Sequence, residues 1–358
     1  AEHVEIAFKL FETLVNKEKQ YEFRSALSTS QYRASRIYDA MGVSDKAVEF
    51  ADAAVQGFVD LVEDRGKTEL TPRLGLALAH RGRLFSQADK DAAAKTDLQR
   101  AATLLENNDQ VEPGESFRTL VDIQLELVTI FMDENDLDSA IKEAGKAVKT
   151  ATVALEEHGM EEFQPILATC HGLRAKCYQK QNEPERAQRD IVKSISLRNL
   201  SVDEGRLEQR YFLAKDLQLR AQIDQLRGAG DDATRDLGQA IELLQKLAEE
   251  GRADANSQLL VCLLDRANIF IGAGKAQEGV ADLQRSLTLA EKDNSAEAGV
   301  HRAAIQDSLL QAYVKNESFD EALAISQSLL ADYHAAQAWE KYSKVQLIRG
   351  SAFEKKGS

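Results

Sequence analysis

The segment DLDSAIKEAGKAV, residues 136–148, opens polar and then sets Ala140 and Ala147 seven positions apart. Seven residues are about two helical turns, so both alanines fall on one face of a helix. The same pattern recurs in SDKAVEFADAAV (44–55), DAAAKTDLQRAA (91–102), EPERAQRDIVKSI (183–195), DDATRDLGQAI (231–241), KAQEGVADLQRSL (275–287) and SFDEALAISQSLL (318–330). The first small residues are Ala47, Ala94, Ala140, Ala187, Ala233, Gly279 and Ala322, with spacings of 47, 46, 47, 46, 46 and 43. Seven positions on stand Ala54, Ala101, Ala147, Ser194, Ala240, Ser286 and Leu329. Nine positions before each first small residue stand Tyr38, Phe85, Phe131, Tyr178, Asp224, Phe270 and Tyr313, six of them aromatic in a chain that is 6% aromatic. A small residue lets two helix backbones approach closely. An aromatic near the end of the preceding helix fills the space between them.

The signals around these markers are helical. Leu120, Ile123, Leu127, Ile130 and Phe131 recur at helical spacing. Pro72, Pro113, Pro165 and Pro184, each after Thr71, Glu112, Gln164 or Glu183, fall near expected first turns, where a missing N–H costs little. Ser201 with Glu204, and Ser318 with Glu321, have capping-box spacing. Gly42, Gly228, Gly230 and Gly274 fall at expected helix-to-helix turns. No segment alternates like a strand between hairpin turns.

The order aromatic, turn, small, small resembles the signature of the tetratricopeptide repeat (TPR). A small residue three before the aromatic is also present at Ser35, Gly82, Ala175, Ala221, Ala267 and Gly350, and fails at Val128 and Leu310. The resemblance covers nearly the whole chain, but the family's repeat is 34 residues. A period near 46 points to a long-helix variant. The resemblance implies an all-α fold, a right-handed α-solenoid or superhelix of antiparallel helix pairs. It implies one solenoid over residues 1–358, about seven full pairs with a half pair at each end. His3 to Glu18 reads as a second helix without its first, and Gly350, Phe353 and Gly357 as a first helix without its second. Such ends lead us to expect a segment of a longer chain.

The 358 residues carry 45 Lys and Arg against 59 Asp and Glu, a net charge of −14. This balance argues against nucleic acid as partner, since phosphate binding needs a cationic surplus. The longest apolar run, residues 259–264, is too short to cross a bilayer, which needs about 20 apolar residues, so no membrane role is expected. No signal peptide is visible, and the three cysteines fit a reducing compartment, which together suggest a cytoplasmic location.

No stretch carries catalytic chemistry. Gly228-Ala229-Gly230 follows a helix, not the strand a dinucleotide fingerprint needs. Gly272-Ala273-Gly274-Lys275 is followed by Ala276, not the Ser or Thr of a phosphate loop. Asp133 to Asp138 hints at a calcium loop but has Asp138 and Ala144 where Gly and Glu belong, so a turn is expected. Cys170, His171 and Cys177 are the nearest approach to a metal cluster. Neighbours on a helix point about 100° apart, and packing of the two thiols is the plainer reading. No catalytic residue, cofactor or metal site is assigned.

In TPR-like arrays the first helix of each pair lines the concave groove. The resemblance implies that residues two before and one after the aromatic look into it; the upstream stripe is Arg36, Arg83, Thr129, Lys176, Gln222, Asn268, Gln311 and Ser351. One turn earlier come Arg33, His80 and Leu173. Arg33, Arg36, His80, Arg83 and Lys176 would make the N-terminal half cationic, while Gln222 and Asn268 give the rest an amide character. The reading is a non-enzymatic scaffold binding a partner protein or peptide in this groove, through an acidic segment or a C-terminal carboxylate. The plainer alternative for these cations is a solvated helix face paired with nearby carboxylates. The Lys/Asn set of chaperone-binding carboxylate clamps is absent. The alternative function is a regulatory or sensory module of a larger signalling protein, fused to a kinase or transcription regulator. An α-helical enzyme would need convergent titratable groups, and the sequence order shows none.

Overall fold

A computed structural model describes residues 2–106, 113–292 and 296–356; side chains 2, 4, 113–116 and 296–300 are outside this description. Among the described residues the regular elements are helices, with no strand. Glu112 and Gly357, invoked above, lie outside the described residues. The chain divides into two compact units, Ala1–Gln181 and Asn182–Ser358.

Unit 1 holds α1 (Glu2–Glu12), α2 (Arg24–Ala40), α3 (Ser44–Val59), α4 (Thr71–Gln87), α5 (Asp91–Glu106), α6 (Pro113–Asp133), α7 (Leu137–Thr152) and α8 (Gln164–Lys180). Unit 2 holds α9 (Pro184–Asp203), α10 (Gln209–Leu226), α11 (Gly230–Glu249), α12 (Ala253–Gly272), α13 (Ala276–Lys292), α14 (Ala296–Lys315), α15 (Phe319–Ala335) and α16 (Trp339–Lys356). Within each unit every helix packs on the one before and the one after it, and first helices of successive pairs also touch: α2 on α4, α4 on α6, α6 on α8, α10 on α12 and α12 on α14. Each unit is thus an all-α solenoid of helix pairs.

Helix α7 shows why. The Asp136 side chain caps its start, accepting from the Ser139 backbone N–H at 3.2 Å. Ala140, Ala144, Ala147 and Ala151 then form one stripe with no solvent exposure. The marker residues behave alike elsewhere: Ala47, Ala54, Ala94, Ala101, Ala187, Ala233, Ala240 and Ala322 are fully buried. The approach is close at Gly279, where a Cβ would sit 2.7 Å from Ile271 Cγ1 and 3.0 Å from the Ala267 carbonyl oxygen. At Ser35 the hydroxyl crosses this narrow gap and donates to the Ala47 carbonyl at 2.6 Å.

The turn inside each pair is equally regular. Four residues after the aromatic position the chain enters the left-handed region, at Gly42, Asp89, Asn135, Asn182, Gly228, Gly274 and Glu317. The next backbone N–H donates to the carbonyl of the aromatic position: Val43 to Tyr38 (2.9 Å), Lys90 to Phe85 (2.9 Å), Asp136 to Phe131 (2.8 Å), Ala229 to Asp224 (2.8 Å), Lys275 to Phe270 (2.8 Å) and Ser318 to Tyr313 (2.8 Å). This is a Schellman closure, which satisfies a carbonyl left over at the helix end. It uses only the backbone, so Asp224 serves in the aromatic slot. Its buried carboxylate accepts from Arg227 at 2.9 Å.

Two local expectations are corrected. Ser201 does not open a helix; it is buried inside α9, which runs on to Asp203, and it donates to the Leu197 carbonyl at 3.0 Å. Gly230 starts α11 without a positive φ; Gly228 alone makes that turn. Ser318 does stand before α15, though its side chain makes no capping bond. Pro72, Pro165 and Pro184 lie in first turns.

Candidate functional site

Three consecutive first helices of unit 1 converge on one cleft of about 260 Å³. Helix α2 supplies Tyr32 and Arg36, α4 supplies Leu76, Ala79, His80 and Arg83, and α6 supplies Arg118, Thr119 and Asp122. These helices lie side by side because the small residues bring each pair together behind them. That leaves residues on the exposed side of neighbouring first helices facing a shared furrow.

The cleft combines cations on its rim with a neutral floor. Arg36 is exposed, its guanidinium 5.8 Å from the centre of the Tyr32 ring, and it forms no ion pair among the described residues. Arg83 faces two carboxylates of α6, Asp122 at 3.9 Å and Glu126 at 3.5 Å. Arg118 lies 3.7 Å from Asp122, one turn away on the same helix. His80 is buried: its Nε2 is 2.9 Å from the Ser35 hydroxyl, and the Tyr32 ring meets it edge-on at 5.9 Å. Burial, helped by the nearby charges of Arg83 and Arg36 and opposed by Asp39, pushes its pKa down to about 4. It is a neutral floor residue, not a cation in the groove. Burial raises the pKa of Asp122, against Arg83 and Arg118, and of Glu126, against Arg83.

Of the residues named from sequence, the structure gathers Arg36, His80 and Arg83 at this cleft and adds Tyr32, Arg118, Thr119 and Asp122. Arg33 is exposed on α2 and Lys176 is exposed on α8, and neither lines it. In unit 2, Gln222 donates to Asp265 at 3.2 Å, beside Gln218 at 2.7 Å, while Asn268 is exposed. The α6 residues escaped notice because the groove rule reads fixed offsets from each aromatic, and Arg118 lies 13 positions before Phe131. A larger cleft in unit 2, about 370 Å³, lies between α9, α10 and α11, but Arg220 there is clamped by Asp236 at 2.5 Å.

The cysteine reading as packing fits the structure. Burial pushes Cys170 up to about 12 and Cys177 up to about 11, so both remain thiols. Among the described residues no group of three or more His, Cys, Asp or Glu is arranged to hold a metal. No described helix is long and apolar enough to cross a membrane.

By sequence, no family model and no curated protein matches this chain. By structure, it is similar to BtubC (BKLC) from P. vanneervenii, with TM-score 0.53 and 17% identity over 70% of this chain and 91% of that one. It is similar to a tetratricopeptide repeat protein from Parabacteroides merdae, with TM-score 0.52 and 14% identity over 89% and 98%. It is also similar to a signal transduction ATPase with a tetratricopeptide repeat sensor from Pyrococcus horikoshii, with TM-score 0.53 and 13% identity over 87% of this chain and 43% of that one. These likenesses establish a TPR-like helical repeat fold.

Proposed function

We propose that the chain is a protein-interaction scaffold that holds an acidic segment of a partner protein or peptide along the first helices of unit 1, seated at the arginine cleft. The observation that carries this reading is the cleft itself: guanidinium groups from α2, α4 and α6 surround one small opening in a chain of net charge −14. At about 260 Å³ it falls below the usual size of a small-molecule pocket, roughly 300–1,000 Å³, and suits a carboxylate-bearing side chain or a chain terminus. Arginine forks pair with carboxylates in two parallel hydrogen bonds, and Arg36 has no competing ion pair among the described residues. A second reading, a regulatory module of a larger signalling protein, takes support from the similar array that serves as sensor in the Pyrococcus horikoshii ATPase.

The test is fluorescence anisotropy with a labelled hexaglutamate peptide ending in a free carboxylate. The charge reversal Arg36→Glu with Arg83→Glu should weaken binding at least tenfold, about 1.4 kcal/mol. Unchanged binding by the doubly reversed protein removes the cleft from the reading, and no binding by the wild type removes the acidic ligand.

A further inference from the structure

Arg83 is the central cation of the cleft, and it is already engaged. Its Nε lies 3.5 Å from Glu126 Oε2 and its Nη2 lies 3.9 Å from Asp122 Oδ2. Neither distance is that of a closed fork; the bidentate arginines Arg81, Arg220 and Arg266 sit at 2.5–2.8 Å from both oxygens of their aspartates. The two α6 carboxylates therefore hold Arg83 loosely and from one side. They are themselves partly desolvated, which is why burial raises the pKa of both. Asp122 also attracts Arg118, so two of the three cleft arginines share it.

Resting on the acidic-ligand reading above, we propose that Asp122 and Glu126 are a built-in competing anion. They occupy Arg83 when the cleft is empty and yield it to the incoming carboxylates of an acidic peptide. The physical logic is an exchange of partners. A ligand carboxylate that takes Arg83 leaves Asp122 and Glu126 without their counter-ion in a partly dry site, so part of the attraction is cancelled. Binding is thereby held weak and favours ligands carrying several adjacent carboxylates, which can engage Arg36 and Arg118 at the same time as Arg83. A lone carboxylate gains too little to displace the pair.

The same labelled hexaglutamate peptide tests this on the full chain. Asp122→Asn with Glu126→Gln keeps the side-chain shapes and frees Arg83, and should tighten binding about tenfold. Glu49→Gln with Glu157→Gln, both exposed positions of unit 1, makes the same change in net charge away from the cleft and should change binding less than threefold. Adding Arg83→Gln to the first variant should abolish the gain. An equal gain in the charge-matched control, or a gain that survives loss of Arg83, would show general repulsion instead of competition for Arg83, and would overturn the inference while leaving the acidic-ligand reading intact. Absence of binding in every variant would overturn that reading itself. Each single variant, Asp122→Asn or Glu126→Gln, supplies the measurement if the double variant does not fold, and no tightening in either overturns the inference.

Discussion

At Gly279 a missing side chain is what permits contact. A Cβ there would meet Ile271 Cγ1 at 2.7 Å and the Ala267 backbone oxygen at 3.0 Å, and the second neighbour cannot rotate away. Gly279→Ala should cost about 1–3 kcal/mol in urea unfolding, the usual penalty for overpacking a close contact. Gly350 provides the contrast. It shares the small-residue pattern, but a Cβ there meets nothing within 4 Å. Gly350→Ala should be neutral or stabilising by up to about 1 kcal/mol, since only helix propensity changes. If both substitutions had the same effect, close approach would not be the role of the small residues. His80 illustrates another limit of residue-level reading. Its offset placed it with the groove cations, yet burial against Ser35 and Tyr32 makes it a neutral wall of the cleft.

Between elements, the recurring fastening is an arginine on the first helix and an aspartate sixteen residues later on the second. Arg81 grips Asp97 at 2.6 and 2.8 Å, Arg220 grips Asp236 at 2.5 and 2.6 Å, and Arg266 grips Asp282 at 2.7 and 2.7 Å. At the same two positions of the α14–α15 pair stand Leu309 and Ile325, both in the apolar cluster of that region. The site thus accepts either a charged or an apolar pair. Arg266→Leu alone leaves the Asp282 carboxylate buried without its partner and should cost about 2–4 kcal/mol. Adding Asp282→Ile should recover most of that loss, bringing the double variant within about 1 kcal/mol of wild type in the same unfolding assay. Two single costs that simply add would refute the exchange. The spacing of these clamps is present in the sequence but carries no signal there, because charges on a helix ordinarily read as a solvated face. Small residues and aromatics were legible since burial constrains both size and position. The turn residue Glu317 was not, because glutamate has no preference for the left-handed region that would mark it in the sequence. Part of the cleft was legible for a related reason: Arg36 and Arg83 sit at fixed offsets from an aromatic, whereas Arg118, Asp122 and Glu126 enter only through the packing of α6 beside α4.

On the scale of the whole molecule, the cleft belongs to one unit and the charge balance works against it. Unit 1 contains 31 acidic and 22 basic residues and unit 2 contains 28 and 23, so the more acidic half carries the arginine cleft. An acidic ligand then meets general repulsion at long range and attraction only at the opening, which makes recognition depend on local geometry. Solenoids make such geometry modular, because each helix pair is held by its neighbours and by little else. The cleft is formed by α2, α4 and α6, and α7 and α8 follow α6 before the unit ends at Gln181. Its apolar support, including Leu74, Leu78, Leu98, Ile123 and Leu127, forms one cluster within the same unit. A fragment of residues 1–181 should therefore fold cooperatively by circular dichroism and bind hexaglutamate within about threefold of the full chain, a difference of under about 0.7 kcal/mol. Fraying confined to α8 would leave that affinity unchanged, since two helices separate the cleft from the new end. A cooperatively folded fragment with tenfold weaker binding would mean that residues beyond Gln181 complete the binding surface, and the cleft of unit 1 would then be only part of it.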